Sequence, residues 1–188
     1  MSKRVATTDR EPRKKKSKKV GVRYLVEQAQ ALAAEGEYVV EMDETDATVW
    51  VVYVTAGTLK EQDNVELGLS LEQWAQSSGR PPCIKFEITF PADFPITVPF
   101  VRVVSPRFQF HTGHVTIGGS ICTEMLTPSA WQPMTIASLL RSMLETLKDG
   151  NAKIQLVPDY HCGVPFQDYT KHEAQMAFSR VAAQHGWQ

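Results

Sequence analysis

Three prolines within ten residues, in the stretch FPADFPITVP from Phe90 to Pro99, limit what this chain can build. A proline cannot donate to a hydrogen-bond ladder and holds φ near −65°, so neither a helix interior nor a central strand passes through such a segment. On one side of it Cys83 to Phe90 alternates apolar and polar residues, and on the other Phe100 to Val104 is apolar and β-branched; both read as strands. A rigid loop between two strands is therefore the anchor of the reading. Upstream, Tyr38 to Met42 and Ala47 to Val54 flank the acidic stretch Asp43 to Asp46 and read as a hairpin. Before them Val22, Leu25, Val26, Ala29, Leu32 and Ala33 recur at helical spacing up to a stop at Gly36. Residues 58–80 are polar, with a short helix expected around Leu69 to Ala75.

After Ser105-Pro106 the pattern is irregular from Arg107 to about Pro133, apart from a turn near Ile121 to Leu126. Long irregular stretches inside compact domains often carry function, and Cys122 sits in the middle of this one. A helix follows from Thr135, a good N-cap, to Lys148, with Gly150 as its stop, and a last helix is expected over Asp168 to Gln184. Strands in succession, then helices, make an α+β fold, and 188 residues suit one domain with tails.

Charge divides the chain where the total conceals it. Residues 1–20 hold nine of the 20 Lys+Arg and two of the 21 Asp+Glu, a balance of +7, leaving −8 on the remainder. Such a segment has too little apolar surface to offset its ordering entropy, so 1–20 is expected to be a disordered basic tail and 21–188 the folded domain. The lysine block suits a nuclear localisation signal, an acidic partner or mere solubility. No aromatic residue interleaves it, which argues against specific nucleic-acid binding. The basic start is not followed by an apolar segment, and no run approaches the roughly 20 apolar residues of a membrane helix, so a cytoplasmic or nuclear chain without membrane partners is expected. Thiols stay reduced there, and of Cys83, Cys122 and Cys162 at least one is free in any case.

Three stretches carry a resemblance to a known family. Phe90 to Val104, FPADFPITVPFVRVV, resembles the F-P-x-x-[YF]-P-x-x-x-P pattern of the ubiquitin-conjugating (E2) enzymes. Gly118 to Leu126, GGSICTEML, is similar to their G-x-I-C-x-[DE]-x-L active-site segment, and Trp131-Gln132-Pro133 stands where they carry a W-[ST]-P turn. PFVRVVSP from Pro99 to Pro106 and a C-terminal helix ending in Gly186-Trp187 resemble the Q-type branch most closely. The resemblance spans about residues 21–157 and implies the UBC fold: an N-terminal helix, a four-stranded antiparallel meander, an active-site loop and C-terminal helices. It further implies that Cys122 accepts ubiquitin or a ubiquitin-like modifier as a thioester from an activating enzyme and passes it to an amine or a ligase. ATP is used by the activating enzyme, so the chain itself needs no cofactor.

Departures from the family pattern matter as much. The Asn of the usual H-P-N, eight residues before the cysteine, is replaced by His114. An imidazole can donate a hydrogen bond to a thioester oxyanion or act as base toward an incoming amine, and His111, three residues away, competes for that role. His114 as mere turn structure is the plainer alternative. Glu124 stands where the family has an acid that orients the attacking lysine, or it is a surface carboxylate. Ile96 replaces a Phe with which many members bind ligases; with Trp131 and Pro133 it is assigned to the partner-binding face, although an aromatic at Trp131 is first of all packing. Cys83 and Cys162 are read as structural. The spacing of His111, His114 and Cys122 matches no common zinc pattern, so no metal is expected. A catalytically silent UBC-fold module that binds ubiquitin or acts as a scaffold is the alternative function, and a cysteine hydrolase ranks third for want of an orienting residue.

Overall fold

In the computed structural model residues 14–157 and 166–187 are described, with side chains from Val22 onward. The order is α1 (Lys14–Glu35), β1 (Val39–Met42), β2 (Val49–Thr55), α2 (Ala56–Glu61), α3 (Val65–Ser78), β3 (Cys83–Thr89), β4 (Phe100–Ser105), a single 3-10 turn (Glu124–Leu126), α4 (Ile136–Asp149) and α5 (Lys171–His185). The four strands form one antiparallel meander in the order β1-β2-β3-β4. This is the α+β arrangement expected from the strand succession.

Alternation decides which face of the sheet turns inward. Trp50, Val52 and Val54 of β2 lie in register with Ile88, Phe86 and Ile84 of β3, and all six are buried. On the same core close Leu25 and Leu32 of α1, Leu67, Leu71 and Trp74 of α3, and the apolar face of α4 formed by Ile136, Leu139, Leu140, Met143, Leu144 and Leu147. Each such side chain contributes roughly 1.5–3 kcal/mol through removal from water, which is what holds the layers together. Thr135 starts α4 as expected, its hydroxyl accepting from the Ser138 N–H at 3.2 Å, while the Gln28 side chain of α1 accepts from the Ile136 N–H at 3.0 Å.

Two expectations need correction. Residues 58–80 are not mainly a polar connection with one short helix; α2 and α3 fill them. The side chains at Leu67, Leu71 and Trp74 supply the i, i+4, i+7 stripe, and Gly79 ends α3 in the left-handed conformation at φ 69°. Polar residues on the outer face of α3 hide that stripe from a reading by composition. The basic stretch also divides differently from the expected 1–20: α1 begins at Lys14, so Lys14 to Val20 run as helix, whereas residues 1–13 lie outside the described residues. Lysine is a good helix former, and a helix already nucleated by its buried end extends through such a run. Cys162 also lies outside the described residues. Among the described residues no helix is long and apolar enough to cross a membrane.

Among the described residues the second face of the sheet is covered at the β4 end. Every residue of β4 after Phe100 is buried, including Arg102, because the chain from Phe166 into α5 lies over it. The Tyr169 N–H donates to Val104 O at 2.9 Å, and Arg102 donates to Tyr169 O at 2.9 Å and to both carboxylate oxygens of Glu87 at 3.0 and 2.8 Å. Burial pushes the Glu87 carboxyl up, but the hydrogen bonds and charge of Arg102 outweigh this and hold it below the usual range. Removing one partner of such a pair costs about 3–5 kcal/mol through the charge left behind.

Candidate active site

The loop that carries Cys122 is a small irregular hairpin. Val115 bridges Ile121 antiparallel, the Thr116 N–H donates to Ser120 O at 2.9 Å, and the Cys122 N–H donates to His114 O at 2.7 Å. That last bond explains why the residue eight positions before the cysteine shares its surroundings: the hairpin folds one onto the other. The turn leading in is sharp, with His111, Gly113 and His114 all at positive φ of 60°, 63° and 55°. Such a conformation strains a side-chain-bearing residue, so the surrounding structure must hold it. It is held by the end of α4. The Gly113 N–H donates to Gly150 O at 2.8 Å, and a Cβ on Gly113 would collide with Ala152.

The Gly118-Gly119 pair leaves room beside the cysteine, and the protein itself fills that room. A Cβ on Gly118 would run into the backbone carbonyl of Glu173 and stand 2.9 Å from the Cβ of Ala177. One on Gly119 would lie 2.6 Å from the Tyr169 ring. The glycines thus seat α5 against the loop that carries Cys122.

Cys122 is half-buried at the meeting of two grooves. The larger, about 550 Å³, has an apolar character from Phe110, Val115, Ile117, Ala177 and Val181, with Arg180, His111 and His114 along it. Phe110 and Ile117 are 63% and 62% exposed, unusual for side chains of that size. The smaller groove, about 370 Å³, is acidic: Glu124 and Asp149 line it with Thr146, His114, His185 and Trp187. Burial pushes the Cys122 thiol up, and no cation among the described residues offsets this.

The structure brings together Cys122, His114 and Glu124, all of them lining the acidic groove. His114 lines both grooves, whereas His111 lines only the apolar one and packs its ring 3.7 Å from that of Phe110. The proximity in sequence of the two histidines therefore does not make them equivalent. Glu124 opens the 3-10 turn and is exposed, its carbonyl tied to the Thr127 N–H and hydroxyl at 2.9 and 2.7 Å. Ile96, Trp131 and Pro133 line neither groove. Ile96 is 73% exposed, and Pro133 is exposed as well. Trp131 is half-buried, donates Nε1–H to Pro95 O at 2.9 Å and tilts its ring 6.2 Å from that of Phe94, so it fastens the proline loop to the segment after the cysteine.

Two further groups were placed by the fold. His185 and Trp187 stack at 4.7 Å with their planes 19° apart, and both face the acidic groove from the far end of α5. The Gly186-Trp187 ending marked this segment by resemblance, but helical periodicity does not, since the helix that delivers it buries only Ala174 and Ala177. Asp149 had a faint signal: an anion in the last turn of a helix opposes the macrodipole.

Comparison with known proteins bears on the family. Residues 80–162 match the family model described as ubiquitin-conjugating enzyme. The human and mouse proteins named ubiquitin-conjugating enzyme E2 Q-like protein 1 are each 33% identical over 108 residues, which is 55% of this chain and 63% of theirs. Human ubiquitin-conjugating enzyme E2 Q1 is 30% identical over 156 residues, 81% of this chain and 34% of that protein. The chain thus spans less than two thirds of the length of the curated relatives it matches. Among solved structures, human ubiquitin-conjugating enzyme E2 G1 superimposes on 69% of this chain and 95% of its own with a TM-score of 0.48 and 19% identity. The helix-first order, the four-stranded meander, the matched family segment and the relatives together make this chain similar to the Q-type branch of the ubiquitin-conjugating enzymes.

Proposed function

We propose that this chain accepts ubiquitin or a ubiquitin-like modifier as a thioester on Cys122 and transfers it to a substrate amine or to a ligase. The observation that supports this most is the placing of one reachable thiol where an acidic and an apolar groove meet. In the charging step the Cys122 sulfur, as thiolate, attacks the thioester carbonyl presented by the activating enzyme; a new C–S bond forms, the old one breaks, and the departing thiolate takes up a proton. In the second step an amine attacks the same carbonyl, the C–N bond forms as the C–S bond breaks, and the amine's surplus proton leaves with a base. His114 is the group positioned to stabilise the oxyanion or to take that proton, and Glu124 with Asp149 favours a cationic acceptor in its groove. A raised thiol pKa fits a carrier: a poorer leaving group makes a thioester that waits for its acceptor.

The chain needs no metal or cofactor of its own on this reading; ATP is spent by the activating enzyme. Its partners are the modifier, the activating enzyme and a ligase that meets the face of Ile96, Trp131 and Pro133, in the cytosol or nucleus. The test is incubation of the chain with activating enzyme, ATP and ubiquitin, followed by a non-reducing gel. A thiol-sensitive adduct is expected that Cys122→Ala abolishes and Cys122→Ser converts into a thiol-resistant ester. A parent chain that never charges with any modifier would leave the silent module as the correct reading.

A further inference from the structure

Helix α5 forms one wall of the cysteine grooves, yet little apolar packing holds it. Its fully buried side chains are Ala174 and Ala177, both small, and half-buried Phe178 adds an edge contact with Phe100 at 6.0 Å. Alanines bury too little surface to fix a helix of this length by themselves. Polar groups at its entry and first turn supply the rest, and Arg107 makes three of those bonds. Its Nε donates to Gln167 O at 2.9 Å, its Nη2 donates to Asp168 O at 3.2 Å and to Glu173 Oε1 at 2.9 Å, and its guanidinium lies 4.4 Å from the centre of the Tyr169 ring. The next residue, Phe108, donates its N–H to the Tyr169 hydroxyl at 2.9 Å. Burial pushes the Glu173 carboxyl up, but the Thr170 N–H and Arg107 together hold it below its usual range, so the pair is charged at neutral pH.

Arg107 also stands at the root of the loop that ends in Cys122, and Gly118 of that loop abuts the Glu173 carbonyl. The clamp and the glycine contact act on the same turn of α5. At the other end of this helix are Arg180, Gln184, His185 and then Trp187, beside Cys122. A planar guanidinium with donors fixed in a fork suits this task, since it binds two carbonyls and a carboxylate at once, which a lysine ammonium on a flexible stem cannot match in geometry.

We propose that Arg107 is a positioning residue for the transfer step: by clamping the entry to α5 through Gln167 and Asp168 and its first turn through Glu173, it sets the distance between the far end of α5 and Cys122. This rests on the reading of Cys122 as the thioester carrier. Displacing a wall by about 1 Å can cost up to roughly 100-fold in a reaction that depends on alignment. Charging depends less on that wall, because the activating enzyme brings its own donor site.

The test is single-turnover discharge of the preformed Cys122 thioester to free lysine, with charging measured in parallel. Arg107→Ala is expected to slow discharge by roughly 10- to 100-fold and several times more than it slows charging. Arg107→Lys should recover part of the loss. Gly118→Ala, which pushes on the same turn from the loop side, should reproduce the defect without touching Arg107. Combined with Trp187→Ala, Arg107→Ala should add little, because both changes act at one wall. Independent of any thioester, Arg107→Ala and Gly118→Ala should both speed alkylation of Cys122, read by mass mapping against Cys83. Equal losses in charging and discharge, full multiplication of the Arg107 and Trp187 effects, or unchanged alkylation of Cys122 would each overturn the proposal. Failure of the parent chain to charge would instead sink the functional reading, and the alkylation rates would still report whether the clamp sets the wall.

Discussion

Cys122 could be singled out from the sequence because Gly118 to Leu126 is contiguous, and the hairpin that pairs it with His114 needs only a short local turn. Its titration was not legible, since burial depends on what the rest of the chain lays around it. With desolvation as the cause of the upward shift, thiolate is scarce at neutral pH and its share rises tenfold per pH unit until the shifted pKa is reached. Alkylation of Cys122 should therefore keep rising beyond the ordinary thiol range of about 8.5, whereas a plateau at lower pH would reveal a cation nearby. At His114 the prediction concerns discharge. His114→Ala should slow transfer to free lysine by roughly 10- to 1000-fold, the scale of one lost oxyanion donor, while charging changes only a few-fold. His111→Ala is the comparison. Because His111 lines only the apolar groove, against the Phe110 ring, its loss should leave discharge near the parental rate. A discharge defect confined to His111→Ala would move the role to that residue. Parental discharge in both variants would shift attention to His185 and Trp187.

At the scale of elements, those with one clean period were readable and those that depend on distant partners were not. β3 alternates strictly, and α4 displays a full apolar face between Thr135 and Gly150, so both were placed to within a residue or two. For α3 the three core residues were outnumbered by polar neighbours, and its stripe has meaning only once a sheet lies beneath it. The short α2 is set by its cap, with Thr55 Oγ1 accepting from the Thr58 N–H at 3.1 Å. Where a cap was legible, its energetic role can be checked. Thr135→Ala removes the acceptor for the Ser138 N–H at the start of α4 and should lower stability by about 1 kcal/mol in denaturant titration, with charging of the folded protein intact. A change below a few tenths would mean that Gln28 alone satisfies this end of the helix.

Across the whole molecule, the covering of β4 by α5 was the part least accessible from sequence. It rests on Arg80, Arg102 and Arg107, which lie far in sequence from the residues they hold. Charge was more legible at this scale, because a segment of +7 facing a body of −8 needs no fold to be seen. What changed is the form of its test: since Lys14 to Lys19 lie within α1, deletion would confuse loss of charge with loss of helix. Replacing Lys14, Lys15, Lys16, Lys18 and Lys19 by alanine keeps or improves helix propensity while removing the charge. If the strip speeds encounter with an acidic surface of the activating enzyme, charging should slow by roughly 10-fold at low salt. That difference should shrink as salt shortens the screening length from about 30 Å at 0.01 M to about 3 Å at 1 M. The melting temperature should stay within a few degrees of the parent, because the substitutions remove charge and leave the buried face of α1 at Leu25 and Leu32 intact. A rate deficit of equal size at both salt concentrations would show that the lysines act by direct contact, and a large fall in melting temperature would show that their stems pack on the domain.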